Sequence, residues 1–172
     1  MNLKTLISQE ELQNKIKEMA KQIAKDYENQ EVVMICVLRG AVYFAVDLSK
    51  YINSTSLLME FMQVSSYGNE RESTGKIDIK KDIELDIKGK NVIIVEDIID
   101  SGLTMDCLVK TLKERSPKTL KVCSLLSKPD RRLVDVQIDY LGFEIPNKFV
   151  LGYGLDYDEY YRNLPYIAYV EE

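Results

Sequence analysis

Three carboxylates, Glu96, Asp97 and Asp100, are followed at once by Ser101, Gly102, Leu103 and Thr104. Ahead of them Val92, Ile93, Ile94 and Val95, led in by Asn91, form an apolar run that reads as a strand buried on both faces. Behind them Met105, Leu108, Val109 and Leu112 recur at i, i+3, i+4 and i+7, the spacing of an amphipathic helix. The layout is therefore strand, acidic turn, glycine-bearing loop, helix. A helix start offers unpaired N–H groups and partial positive charge, and a glycine before it lets the backbone approach an anion. Asp100 or Ser101 is expected to cap that helix, with the Ser101 and Thr104 hydroxyls donating to a phosphate oxygen. Carboxylates so close would repel the phosphate unless they engage something else. Sugar hydroxyls and a hard divalent cation are their natural partners, so a ligand with one phosphate, a diol and a second, metal-bound phosphate group fits.

What the chain lacks narrows the chemistry further. It contains no histidine, which removes Ser-His-Asp and Cys-His catalysis, histidine zinc sites and histidine general bases. Proton transfer falls to carboxylates, Lys, Tyr or Cys. Cys36, Cys107 and Cys123 show no CxxC spacing and read as buried, reduced thiols. A formal charge of −5 disfavours wholesale binding to nucleic acid. No apolar run approaches a membrane span and MNLKTLISQEELQNK has no signal-peptide core, so a cytoplasmic protein with no membrane attachment is expected. There is no P-loop, no GxGxxG after a strand and no internal repeat. At 172 residues one domain is the expectation.

The elements that must position these groups follow in chain order. Ser8 with Glu11 suits a capping box, and Leu12, Ile16, Met19 and Ile23 mark the packing stripe of a helix reaching about Tyr27. Val32 to Leu38 reads as a buried strand, then Arg39-Gly40, then a helix over Ala41 to Ile52. This is a second strand-to-helix junction with a glycine in its turn, the place where open parallel sheets present ligand sites. Ser56 to Ser65 reads as a strand leading into a long polar loop with Gly68 and Gly75, either an inert hairpin tip or a lid. Ile77 to Leu85 alternates as a half-exposed strand, and Gly89 turns the chain into the acidic unit. Leu120 to Leu126 reads as a further strand with Lys128 at its carboxyl end, followed by Arg131 and Arg132 as a solvated basic turn. Tyr140 to Ile145 is another strand, and Tyr153, Tyr157, Tyr160 and Tyr161 beyond it read as packing.

VIIVEDIIDSGLT resembles the phosphoribosyl-diphosphate binding motif of the type I phosphoribosyltransferases. The later run GFEIP, KFV, GYGLDY, the Glu159 that follows it and YR resembles the C-terminal signature of their hypoxanthine-guanine branch. Together the two signatures cover most of the chain from Val32 onward. The resemblance implies an α/β fold, a parallel sheet flanked by helices with a small C-terminal hood. Residues 1–172 would form a single domain, the hood built largely from the N-terminal segment and 128–172. It implies transfer of the phosphoribosyl group of 5-phosphoribosyl 1-diphosphate to hypoxanthine or guanine, giving IMP or GMP and diphosphate, in a homodimer or homotetramer that uses Mg²⁺.

Residue by residue, the resemblance gives Asp100 the role of proton acceptor at the purine. Glu96, Asp97, Asp100, Ser101, Gly102, Leu103 and Thr104 take the ribose and its 5-phosphate. Arg39 and Gly40, in a Leu-Arg-Gly turn that relatives enter through a non-proline cis peptide, take the diphosphate together with Arg162. Lys128 contacts the base, where an ammonium donor selects a 6-oxo purine over adenine. Phe149 stacks on the purine, Val150 offers backbone groups to its edge, and Asp156 lies near the exocyclic amine of guanine. Glu96, Asp97 and Asp156 are the metal ligands, and the loop beginning Ser66-Tyr67 is the lid. Leu103 stands where some relatives carry Lys, so the phosphate is held with less positive charge. Two rivals belong beside this reading: a regulator that binds the sugar diphosphate and nucleic acid, and a transferase preferring xanthine or adenine.

Overall fold

The computed structural model describes residues 1–54, 56–66 and 76–171. The chain opens with β1 (Leu3–Ile7) and α1 (Gln9–Asp26), then runs β2 (Val32–Leu38), α2 (Val42–Tyr51), β3 (Leu57–Ser66) and β4 (Ile77–Lys81). The central unit follows as β5 (Asn91–Ile99) and α3 (Leu103–Lys113), and then β6 (Thr119–Ser127), β7 (Tyr140–Glu144), β8 (Val150–Leu151) and β9 (Ile167–Val170). Six strands form one sheet in the order β4-β3-β2-β5-β6-β7, with only β4 antiparallel. From β2 the chain moves outward to β3 on one side, and β5 returns on the other. The strand order therefore reverses between β2 and β5, and the crevice at their carboxyl ends is where such sheets take ligands.

Alternating strand residues build two cores. Met34, Cys36, Ile93 and Cys123 face Leu12, Ile16, Phe44 and Leu48 of α1 and α2. Val33, Ile35, Val92 and Ile94 face Leu108 and Leu112 of α3. With both faces covered, β2 and β5 can be apolar at nearly every position, as the sequence predicts. α1 starts on the expected capping box, Glu11 N–H donating to Ser8 Oγ at 3.1 Å and Ser8 N–H to Glu11 Oε2 at 2.7 Å. All three cysteines are buried and unpaired. No described helix is long and apolar enough to cross a membrane.

Two boundaries and one sheet differ from the sequence expectation. β5 continues through the acidic residues to Ile99, because β6 runs beside it as far as the Ile99–Ser127 pair. β4 stops at Lys81, where its register with β3 is already irregular, and Leu85 is tied instead by its N–H to Glu60 Oε1 at 3.0 Å. A second, antiparallel sheet in the order β1-β9-β8 joins the two ends of the chain.

Candidate active site

The β2–β5 crevice brings the two glycine-bearing turns together. The Leu38-Arg39 peptide bond is cis. A Cβ placed on Gly40 would lie 1.6 Å from Asp97 Oδ2, so the turn after β2 is seated directly on that carboxylate. Asp97 N–H donates to Glu96 Oε1 at 3.0 Å, and Ile98 N–H donates to Asp97 Oδ1 at 2.6 Å. Burial and the neighbouring Asp97 charge push Glu96 well above the usual carboxylate range. Burial raises Asp97 as well, against the opposing pull of its hydrogen bonds and of the Arg162 charge. Two adjacent, partly buried carboxylates thus resist full ionisation and gain from a cation.

Beyond β5 the loop opens a cavity of ≈ 210 Å³ lined by Glu96, Asp97, Asp100, Ser101, Gly102 and Thr104. Gly102 is the N-cap of α3, with φ +87°, and no side chain caps the helix. The expectation that Asp100 or Ser101 would cap it is corrected: Ser101 Oγ accepts instead from Leu103 N–H at 3.3 Å, one residue ahead of the usual capping donors. A Cβ on Gly102 would come within 2.8 Å of Val134 O and 2.9 Å of Arg132 Cδ. Positive φ and close packing both require glycine there.

The basic turn after β6 is part of this loop's support, which corrects its reading as solvated. Arg132 donates from Nε to Asp100 O at 3.1 Å and from Nη2 to Ile99 O at 3.3 Å and Ser127 Oγ at 2.6 Å. Leu133 and Val134 N–H groups both donate to Ser101 O, at 2.9 and 3.2 Å. Arg131 Nε lies 2.8 Å from Asp100 Oδ1, although without the alignment of a hydrogen bond. Lys128, only 7% exposed, places Nζ 3.9 Å from Asp100 Oδ2. The only forewarning in the sequence was a pair of guanidinium groups just past a strand that neighbours an acidic loop.

The C-terminal segment closes over the same crevice. A Cβ on Gly154 would lie 2.1 Å from Gly40 O, and Gly154 has φ +97°. Val150 is buried in β8, while Phe149 is 54% exposed with the Tyr157 ring meeting it edge-on at 5.6 Å. Arg162 donates from Nη1 to Gly154 O at 2.8 Å, and its Nη2 lies 3.2 Å from Asp156 Oδ1. Arg39 and Arg162 converge on Glu159, a residue to which the sequence reading gave no role: Oε2 accepts from Arg39 Nη1 at 2.7 Å and Oε1 lies 3.6 Å from Arg162 Nη2. Asp156 Oδ2 accepts from Glu159 N–H at 2.9 Å. Among the described residues no three carboxylates or thiols converge as a ready-made metal cage, so Asp156 is not grouped with Glu96 and Asp97. Ser66 ends β3, and Tyr67 lies outside the described residues. A larger cavity of ≈ 680 Å³, lined by Tyr27, Gln30, Ile52 and Leu57, holds none of these groups.

Comparison with known proteins agrees with this geometry. The family profile for the phosphoribosyl transferase domain matches residues 7–158. The chain belongs to the phosphoribosyltransferase family. Hypoxanthine-guanine phosphoribosyltransferase of Bacillus subtilis is 48% identical over 96% of this chain and 91% of its own length. The crystal structure of a Bacillus anthracis hypoxanthine-guanine phosphoribosyltransferase superposes with a TM-score of 0.93 at 52% identity, covering 98% of both chains. That of a Staphylococcus aureus hypoxanthine phosphoribosyltransferase gives 0.93 at 42%, covering 98% of this chain and 91% of its own. Within the family this chain falls with the hypoxanthine-guanine branch, and the parallel sheet flanked by helices expected from the sequence is the fold observed.

Proposed function

We propose that this chain is a purine-salvage enzyme. It transfers the phosphoribosyl group of 5-phosphoribosyl 1-diphosphate to N9 of hypoxanthine or guanine, giving IMP or GMP and diphosphate. The observation that carries the reading is the seating of Gly40 on Asp97, which sets a diphosphate turn and a sugar-binding carboxylate pair side by side. The start of α3, which no side chain caps and which borders the adjoining cavity, suits the 5-phosphate.

Mg²⁺ takes one or two carboxylates and fills its shell with water and phosphate oxygens, which is the donor set Glu96 and Asp97 offer; Asp156 would assist from the hood side. Bound with the substrate, it supplies charge neutralisation to the departing diphosphate. Arg39, Gly40 and Arg162 grip the same group, for which planar guanidinium forks are well suited. As the bond from C1′ to the diphosphate oxygen breaks, positive charge develops on the ribose, whose hydroxyls Glu96 and Asp97 hold. N9 of the base bonds to C1′, and the proton lost from the imidazole edge passes to Asp100. Lys128 donates to O6 of the purine, Phe149 stacks on the ring and Val150 meets its edge through the backbone. The loop beginning Ser66-Tyr67 is proposed as the lid that keeps water from the sugar cation. The β1-β9-β8 sheet and the segment after Lys128 are proposed as the hood, in a cytoplasmic homodimer or homotetramer.

Incubation with the sugar diphosphate, Mg²⁺ and each of adenine, hypoxanthine, guanine and xanthine tests the reading. IMP and GMP are the expected products. A regulator would bind the sugar diphosphate and form no nucleotide, and AMP or XMP as the dominant product would overturn the assignment of the base. Asp100→Asn should lose most turnover while still binding IMP; near-normal turnover would remove Asp100 from its role.

A further inference from the structure

One carboxylate occupies the ground between two cations brought from opposite sides of the crevice. Arg39 comes from the turn after β2 and Arg162 from the C-terminal segment, and Glu159 offers one oxygen to each. Its position is held by a two-residue turn. Tyr157 and Tyr160 exchange backbone hydrogen bonds at 3.1 and 3.0 Å, leaving Asp158 and Glu159 at the tip with φ +52° and +69°. Two-residue turns with both φ positive favour Asn-Gly or Asp-Gly, because a side chain at the second position is strained. Glycine would be the easy residue at 159, yet a glutamate stands there, with its N–H anchored on Asp156 Oδ2.

We propose that Glu159 is a placeholder for the diphosphate. Its carboxylate holds Arg39 and Arg162 facing one another before substrate binds and yields them to the incoming phosphoryl oxygens. This rests on the reading that those two arginines grip the diphosphate. Glu159 is thus a positioning residue that competes with the ligand: it pre-organises the grip and weakens it at the same time. Release of the diphosphate is helped by the same carboxylate returning to its two partners.

The test compares wild type with Glu159→Gln, Glu159→Asp and Glu159→Gly. Calorimetry with diphosphate and Mg²⁺ gives the Kd, and steady-state assays give KM and kcat for the sugar diphosphate. The Arg39–Glu159 pair is largely exposed, with side chains 60% and 66% accessible, so the competition is modest. Glu159→Gln is expected to bind diphosphate about two- to fivefold more tightly and to lower KM by a similar factor, with kcat not increased. Added salt should shrink the difference, since it screens the carboxylate from both arginines. Glu159→Asp should stay close to wild type, and Glu159→Gly should share the tighter binding while also relaxing the turn. Equal or weaker diphosphate binding by both Gln and Gly variants, each still forming nucleotide, would overturn the placeholder. Failure of wild type itself to bind diphosphate would instead sink the reading of the arginines.

Discussion

Asp97 and Gly40 share one space: the Asp97 carboxylate lies where any side chain at position 40 would have to go. On its other side Gly40 carries the backbone of Gly154, so strand turn, carboxylate and C-terminal loop are stacked with no room for a methyl group. Gly40→Ala must displace either Asp97 or the Arg39 turn. We expect a loss on the order of a hundredfold in kcat/KM for the sugar diphosphate, since misplacement by an ångström costs that much. Steady-state kinetics beside a thermal melt would separate this from unfolding, and near-wild-type kinetics would contradict the packing.

Raised carboxylates make the ligand-free protein sensitive to alkali. Glu96 and Asp97 bind protons more tightly folded than unfolded, so the folded state holds the extra proton above the usual carboxylate range. Stability then falls as pH rises, beginning at about pH 4.5 and ending above the raised folded-state values. The unfolding midpoint measured across this range should decline, less so with Mg²⁺ and the sugar diphosphate present. Glu96→Gln should remove most of the slope, and an unchanged slope would place its origin elsewhere.

Lys128 is nearly buried, so its ammonium cannot be replaced by water without loss. If Lys128 is the donor to O6 proposed above, Lys128→Met should reduce discrimination for hypoxanthine over adenine by about a hundredfold. The ratio of kcat/KM for the two bases is the readout. Discrimination unchanged in this variant would move base selection to the backbone around Val150.

Arg132 ties Ile99 O, Asp100 O and Ser127 Oγ to one guanidinium. Arg132→Ala leaves those acceptors without it, and we expect a cost of about 2 kcal/mol in denaturant unfolding together with a raised KM for the sugar diphosphate. Arg132→Lys should recover little, since an ammonium cannot span three acceptors in that fork geometry. Full recovery by Lys would show that charge alone matters.

Much of this architecture was legible because parallel strands buried on both faces leave near-continuous apolar runs, as at Val32–Leu38 and Asn91–Val95. The acidic turn was legible as a strand-to-helix junction for a related reason: the apolar run breaks at the carboxylates and helical spacing resumes at Met105. β1, β8 and β9 were not, being short and paired only through contacts about 150 residues apart or more, or across the irregular C-terminal segment. The partners of Arg131, Arg132 and Glu159 escaped for the same physical reason. A charged side chain on a loop has no periodicity, and whether it meets water or a partner is decided by the strands that bring loops together. Tyr153, read as packing, is buried as expected but also donates its hydroxyl to Asp47.

The pairing of β1 with β9 has a consequence for how the molecule is made. β1 waits for a partner that is translated after every strand of the six-stranded sheet, with Asn2 O accepting from Glu171 N–H at 3.0 Å. The six-stranded sheet and the acidic loop after β5 can assemble beforehand, as domains generally fold from the amino end during synthesis. During synthesis the acidic loop after β5 would thus be in place before β9 reaches β1, and the small sheet that joins them would form last.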